Sequence, residues 1–222
     1  MKKKILVACL CVALAVLTIA GTTLAYLTSH DQVTNTFTVG NVRITLDEAQ
    51  VNADGKPINE DGTIVTDLAK ADRVKANSYK LIPGHTYTKD PTVTVKAPSE
   101  ESYVRMLVTV TFDKQLTETQ LATELDNIFT DYSTNWGRSA KQIETVDGKT
   151  VITYEYRYST TVSAATEDIK LPALFTGIAI PNTWTGDDLA ALGNININIV
   201  AQAIQADGFT DAADAWSKFP TT

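Results

Sequence analysis

Residues 102–112 read Ser-Tyr-Val-Arg-Met-Leu-Val-Thr-Val-Thr-Phe, and this stretch decides the fold class. Every second residue is apolar, whereas the residues between them include Arg105, Thr109 and Thr111. A period of two residues is typical of a β-strand that buries one face. The pattern therefore predicts a strand whose core face is formed by Val104, Met106, Val108, Val110 and Phe112.

The same alternation recurs elsewhere along the chain. It predicts further strands over residues 42–47, 92–96, 143–146, 150–158 and 194–205. Asp147-Gly148 lies between two of them and is typical of a tight hairpin turn. Helical spacing instead predicts short helices at residues 117–129, 185–192 and 211–219. Because strands and helices do not alternate regularly, we predict an all-β fold: an antiparallel β-sandwich with two or three short inserted helices.

The domain organisation follows from these segments. Residues 39–222 are predicted to form a single β-sandwich domain. Within it, residues from about 49 to 76 are rich in Asn, Asp, Gly and Pro, which predicts a solvated loop insertion.

Residues 1–25 have the features of a secretory signal peptide. Lys2, Lys3 and Lys4 precede an uncharged apolar run, which ends in the small residues of Thr23-Leu24-Ala25. This pattern predicts cleavage after Ala25, so that Tyr26 becomes the first residue of the mature chain. An uncleaved membrane anchor is the alternative, because the run up to Ala25 is about long enough to cross a bilayer of roughly 30 Å.

Residues 26–38 would form the mature N-terminus. The segment is mostly polar, and its larger apolar side chains include Leu27 and Phe37. It is predicted to be extended and poorly held within its own subunit.

Composition excludes several function classes. The chain has 19 basic and 26 acidic residues, a net charge of −7, and loss of the three N-terminal lysines would change this to −10. An acidic domain is poorly suited to nucleic acid, which requires cationic contacts to phosphates. Cys9 and Cys11 both lie in the apolar run. The mature chain would therefore contain no disulfide and no thiol chemistry.

Several stretches together resemble the TasA/camelysin family of secreted Gram-positive proteins. They are the signal with its Gly21–Thr28 exit, 35–42 (NTFTVGNV), 82–84 (IPG), 89–95 (KDPTVTV), 102–105 (SYVR) and 205–209 (QADGF). The resemblance implies a jelly-roll arrangement of the sandwich and removal of the signal by a dedicated signal peptidase. It also implies subunits that assemble into biofilm fibres, with the mature N-terminus acting as a donor strand in the next subunit.

The camelysin branch is described as metalloprotease-like, so the resemblance implies a set of zinc ligands. His30 and His85 are the chain's two histidines, and they do not form the short-spaced pair typical of zinc hydrolases. Neither a Gly-x-Ser-x-Gly elbow nor a Gly-rich phosphate loop is present. We therefore predict no catalytic, cofactor-binding or metal-binding residues. Tyr154, Tyr156 and Tyr158 are interpreted as core or sheet residues rather than as a platform for sugars.

The favoured hypothesis is a secreted structural protein of the extracellular or biofilm matrix that forms fibres by strand donation. Its candidate assembly residues are Tyr26, Leu27 and Phe37, and its predicted partners are other copies and the signal peptidase. Other matrix proteins or cell-surface polysaccharide are further candidate partners. The alternatives are a camelysin-like metallopeptidase and a monomeric surface adhesin or carbohydrate-binding module.

Overall fold

The alternating stretch around Val108 is the central strand of the largest sheet. In the computed structural model, which describes residues 41–117 and 128–219, this strand runs from Ser99 to Phe112. The described strands are β1 (Ile44–Ala49), β2 (Arg73–Val74), β3 (Thr86–Thr88), β4 (Thr92–Val95), β5 (Ser99–Phe112), β6 (Phe129–Thr130), β7 (Trp136–Val146), β8 (Lys149–Tyr158), β9 (Val162–Ala164), β10 (Ile169–Lys170), β11 (Gly177–Ala179) and β12 (Ile195–Gln205).

The largest sheet has the order β12-β5-β8-β7, and β9 also pairs with β5. In this register Val108 lies between Ile199 and Tyr154. The predicted phase of β5 is confirmed, since its five apolar residues from Val104 to Phe112 are all buried. The turn between β7 and β8 has positive φ at both Asp147 and Gly148, as a two-residue type I′ hairpin requires.

Two smaller sheets complete the sandwich, with the orders β10-β4-β1-β2 and β3-β11-β6. Every strand pairing in the described part of the chain is antiparallel. One hydrophobic core joins all three sheets, with Val93 from β4, Ile178 from β11 and Met106 from β5 among its members. The predicted all-β sandwich with short helices is therefore confirmed. The jelly-roll arrangement, which was implied only by the resemblance, stays a prediction.

Two short α-helices lie within the described residues, α1 (Gly186–Leu192) and α2 (Ala212–Ser217). Helix α1 begins with a capping box in which Thr185 and Asp188 satisfy each other's backbone N–H groups. Helix α2 packs Trp216 against the Arg105 guanidinium, 4.3 Å from the ring centroid to Cζ. None of the helices in these ranges is both long and apolar enough to cross a membrane.

Two segments differ from the sequence-based prediction. Most of the helix predicted over residues 117–129 lies outside the described residues, but Phe129 belongs to strand β6. Its ring stacks on Phe175, so core packing rather than helical spacing fixes its position. The strand predicted over residues 143–146 is longer than expected, because β7 already begins at Trp136. Trp136 is buried, and its indole N–H donates to the carbonyl of Pro172.

The insertion is also more ordered at its ends than a solvated loop would be. Its first residue, Ala49, is the buried end of β1, and Arg73–Val74 near its other end pairs with β1. Val51 and Ala71 are buried as well. The turn residues at its tip, 60–63, are exposed as predicted.

Candidate functional site

A groove of about 490 Å³ lies between β1 and β12 and is lined by both apolar and polar residues. We call it the seam groove. Its apolar lining includes Leu46, Tyr79, Ile180, Trp184, Ile197 and Ile199. A volume of this size is within the range typical of ligand-binding sites.

The apolar face of β12 is incompletely covered along this groove. The alternation that predicts a strand over residues 194–205 places Ile195, Ile197 and Ile199 on one face and Asn196 and Asn198 on the other. The structure confirms the two faces, but the isoleucines are only half-buried, whereas the asparagines are exposed. An apolar row that remains half-exposed beside a closed core can bury more surface when it gains a partner.

Backbone groups on β12 face the same groove. Asn194 O accepts from Asp113 N, and Ala206 N donates to Glu101 O, so even-numbered residues of β12 direct their peptide groups toward β5. Since antiparallel hydrogen bonds alternate, Ile195, Ile197 and Ile199 direct theirs to the opposite edge. No strand in the described ranges pairs with that edge.

Strand β1 presents a second edge to the groove. Arg43 O accepts from Lys96 N on the side of β4, so Ile44 and Leu46 direct their peptide groups away from β4. Strand β2 covers only the far end of β1, at Glu48 and Ala49. Leu46 O accepts a hydrogen bond from the Lys75 ammonium. The seam groove is therefore bordered on two sides by backbone positions where an added strand could pair.

A pair of buried charges lies at one end of the groove. The Lys89 ammonium is 2.5 Å from Glu48 Oε2, and their side chains are only 7% and 8% exposed. Beside them, burial raises the pKa of the Tyr79 phenol well above its ordinary value, and the Glu48 carboxylate adds to this effect. Tyr79 is consequently a neutral hydrogen-bond donor at physiological pH, and its hydroxyl donates to Thr88 O.

A second ion-pair cluster fastens the insertion to the sheet. Arg73 lies 2.8 Å from Asp47 and 2.5 Å from Asp90. Burial opposes the charged guanidinium, but hydrogen bonds to Asp90 and Asp47 outweigh this and raise the pKa of Arg73. The Asp90 carboxylate also accepts from Ala49 N at 2.6 Å. These contacts fix the position of β1, which forms one wall of the seam groove.

The assembly and cleavage residues predicted from the sequence lie outside the described residues. They are Ala25, Tyr26, Leu27 and Phe37, and His30 is outside as well. His85 is an exposed residue directly after Pro83-Gly84, and Gly84 has a positive φ.

The tyrosines of β8 are core residues, as interpreted from the sequence. Tyr154 and Tyr156 are buried, and the Tyr156 hydroxyl donates to that of Tyr132 at 2.9 Å. These two rings are therefore not accessible as a stacking platform for sugars. Among residues 41–117 and 128–219, no three His, Cys, Asp or Glu side chains are grouped so that they could hold a metal ion.

Sequence reasoning missed the seam groove and the charged groups at its end. The half-buried state of Ile197 depends on how two distant strands meet, which no local pattern encodes. Glu48 directly precedes the apolar Ala49, which was a signal of burial, whereas Lys89 stands between Thr88 and Asp90 and had no such signal.

Comparisons with protein-family models, with curated proteins and with solved structures return no match for this chain.

Proposed function

We propose that this chain is a secreted structural protein of the extracellular or biofilm matrix that assembles into fibres by strand donation. In this proposal, residues 26–38 of one copy enter the seam groove of the next copy after the signal peptide is removed. The observation that carries the proposal is the seam groove, where a half-buried apolar row lies beside two strand edges.

The dimensions of the donor and the acceptor agree. Strand β12 contains 11 residues and spans roughly 36 Å at about 3.3 Å per residue. The 13 residues from 26 to 38 would reach roughly 43 Å when extended, so they can follow the whole strand. Two residues, Val39 and Gly40, separate the segment from Asn41, where the described domain begins.

The energetics require a repeated contact rather than one isolated pair. Burying Leu27 and Phe37 would contribute on the order of 3–6 kcal/mol. Ordering about a dozen residues costs a comparable or larger amount. Backbone hydrogen bonds along β12 and repetition along the fibre must supply the remainder.

The proposal places the protein outside the cell, in the matrix or at the cell surface. Its partners are a second copy of the chain and the signal peptidase, with other matrix proteins or cell-surface polysaccharide as further candidates. N-terminal sequencing of secreted protein should begin at Tyr26, whereas an intact Met1 form in the membrane fraction would support the anchor alternative.

The experiment compares polymerisation of the mature chain with that of a chain lacking residues 26–36. Light scattering and negative-stain electron microscopy should show fibres for the first and folded monomers for the second. Phe37→Ala should weaken polymerisation. On the acceptor side, Ile197→Asp should abolish fibres, while the matched exposed variant Asn198→Asp should retain them. Circular dichroism of each monomer verifies that the variants fold.

The outcomes separate the proposed function from its alternatives. Equal fibres from the mature chain and the deletion variant would refute strand donation. If the mature chain stays monomeric and only the deletion variant binds a hydrophobic dye, then the segment fills the groove of its own subunit. A monomer that retains polysaccharide in affinity electrophoresis would support the adhesin. Stoichiometric zinc together with casein digestion would support the metallopeptidase.

A further inference from the structure

One carboxylate in the described domain accepts hydrogen bonds from both an amine and a carboxamide. Glu48, in β1, accepts from Lys89 Nζ at 2.5 Å through Oε2 and from Asn77 Nδ2 at 2.9 Å through Oε1. Lys89 directly follows β3, and Asn77 lies shortly after β2. Residues from three distant parts of the sequence thus place an amine at one oxygen and an amide at the other oxygen of the same carboxyl group.

We propose that Lys89 and Asn77 become joined by an intramolecular amide bond between Lys89 Nζ and Asn77 Cγ, with Glu48 transferring the protons. This inference concerns the fold of each subunit and does not depend on the proposed strand donation.

The reaction requires a neutral amine, and a carboxylate that can take up the proton is in contact with Lys89. A charged ammonium is not a nucleophile, and its side chain here is only 7% exposed, with the Tyr79 ring centroid 5.8 Å from Nζ. Glu48 Oε2 lies 2.5 Å from Lys89 Nζ, so it is placed to accept a proton from the amine. Transfer of one proton from Lys89 to Glu48 gives a neutral amine beside a neutral carboxylic acid.

The carboxamide of Asn77 is held in a single orientation. Its Oδ1 accepts from Val51 N at 3.0 Å, and its Nδ2 donates to Ala49 O at 2.9 Å as well as to Glu48. Negative charge develops on Oδ1 when an amine adds to Cγ, and the Val51 N–H already points at that atom. A donor placed in advance at a developing oxyanion is an effective means of stabilising it.

The reaction balances without an oxidant, a reductant or a co-substrate. The lone pair of Lys89 Nζ attacks Asn77 Cγ and forms a C–N bond, and the carbonyl electrons move onto Oδ1. The carbonyl then re-forms as the bond from Cγ to Nδ2 breaks. Nζ gives up two protons to Glu48 in turn: the first passes on to Nδ2, which leaves as ammonia, and the second stays on the Glu48 carboxyl group until it is lost to solvent. The seam groove is lined by Lys89, Asn77 and Glu48, so it gives the ammonia a route to solvent.

The first measurement is the intact mass of the denatured chain. The expected mass is lower by one ammonia than the mass calculated from the sequence. A proteolytic digest should contain one branched species in which the peptide with Lys89 is linked to the peptide with Asn77, and tandem mass spectrometry identifies the junction. This readout uses the unaltered protein, so it does not depend on whether any variant folds.

Three variants exclude other sources of the mass change. Lys89→Arg keeps a positive charge near Glu48 but lacks the nucleophilic amine, so its mass should equal the calculated value. A loss of ammonia that persists in this variant would indicate cyclisation of Asn77 onto its own backbone and would refute the proposal. In Glu48→Gln the amide link should be absent or should form many times more slowly. In Asn77→Asp, a link that still forms should release water instead of ammonia.

Two results would overturn the inference. One is an unaltered chain of the calculated mass whose Lys89 and Asn77 peptides are recovered separately, which would leave the cluster as a buried ion pair. The other is a link from Lys89 to a residue other than Asn77.

Discussion

Replacing Arg73 with methionine should show how strongly the insertion depends on its buried charges. Methionine retains much of the length and apolar contact of the arginine stem but removes every hydrogen bond of the guanidinium. Those bonds reach Asp47 Oδ1 at 2.8 Å and Asp90 Oδ2 at 2.5 Å, and weaker ones reach the carbonyl groups of the same two residues.

The magnitude follows from the different exposure of the two carboxylates. Asp90 is only 7% exposed, and loss of its cation leaves a buried charge, a change that typically costs about 3–5 kcal/mol. We take the lower end, because Asp90 keeps the hydrogen bond from Ala49 N. Asp47 is 24% exposed and adds up to about 1 kcal/mol. The expected loss is about 3–4 kcal/mol, a large part of the roughly 5–15 kcal/mol that stabilises most domains.

Urea unfolding followed by circular dichroism measures this loss. Lys96→Met is the matched control, because its ion pair with Asp168 is exposed at the surface and its removal should barely change the unfolding midpoint. Adding Asp90→Asn to Arg73→Met should recover part of the lost stability, since the buried carboxylate is then neutral. An Arg73→Met chain that unfolds within about 0.5 kcal/mol of the parent would refute the reasoning.

Three further predictions test the fold. Val108→Asp places an unpaired carboxylate at a position with no exposure, so the free energy of unfolding should fall by several kcal/mol. A variant with the same melting curve as the parent protein would contradict the assigned core face of β5. Gly55→Ala should be clearly destabilising, because a Cβ there would lie 2.6 Å from the Cβ of Tyr87. Gly62 has a similar positive φ but open space around it, so Gly62→Ala should destabilise less. Equal melting temperatures of the two variants would disprove the steric argument. Burial raises the pKa of the Glu155 carboxyl, but hydrogen bonds from Arg157 and Ser139 outweigh this effect, so the pKa is lowered on folding. The ionised carboxylate therefore stabilises the fold above the unfolded pKa of about 4.3, and this stabilisation is lost as the pH falls below that value. Glu155→Gln should therefore reduce the loss of stability on acidification, which thermal melts at pH 3 to 7 would detect, and unchanged acid sensitivity would contradict it.

The part of the fold that was predictable from the sequence is the part governed by a local period. Residues 102–112 and 150–158 each bury one face and leave the other at least partly solvated, so their side chains alternate in the sequence as they do in space. Helix α1 was recognisable for a similar reason, since Thr185 and the two acidic residues after it form a local starting signal.

The remainder depends on contacts between distant residues. Strands β9 and β10 have two or three residues each, too few for a period, and they exist because β5 and β4 offer edges for pairing. The contact of Glu48 with Lys89 joins residues 41 positions apart, and no spacing rule connects them. For the seam groove, the isoleucines of β12 gave the apolar face but not its incomplete burial, which depends on where β1 lies.

Strand β7 also determines how this protein avoids uncontrolled lateral association. From Gly137 to Val146 the strand is exposed, with Ile143 and Val146 nearly half accessible, and an apolar strand at a sheet edge can nucleate aggregation. Here the register shifts between Arg138 and Ala140, and the cations of Arg138 and Lys141 lie over the ring of Tyr154. An irregular, cationic edge is a poor template for another flat strand. The two edges of the largest sheet thus differ in character, and lateral pairing of two chains through β7 is disfavoured.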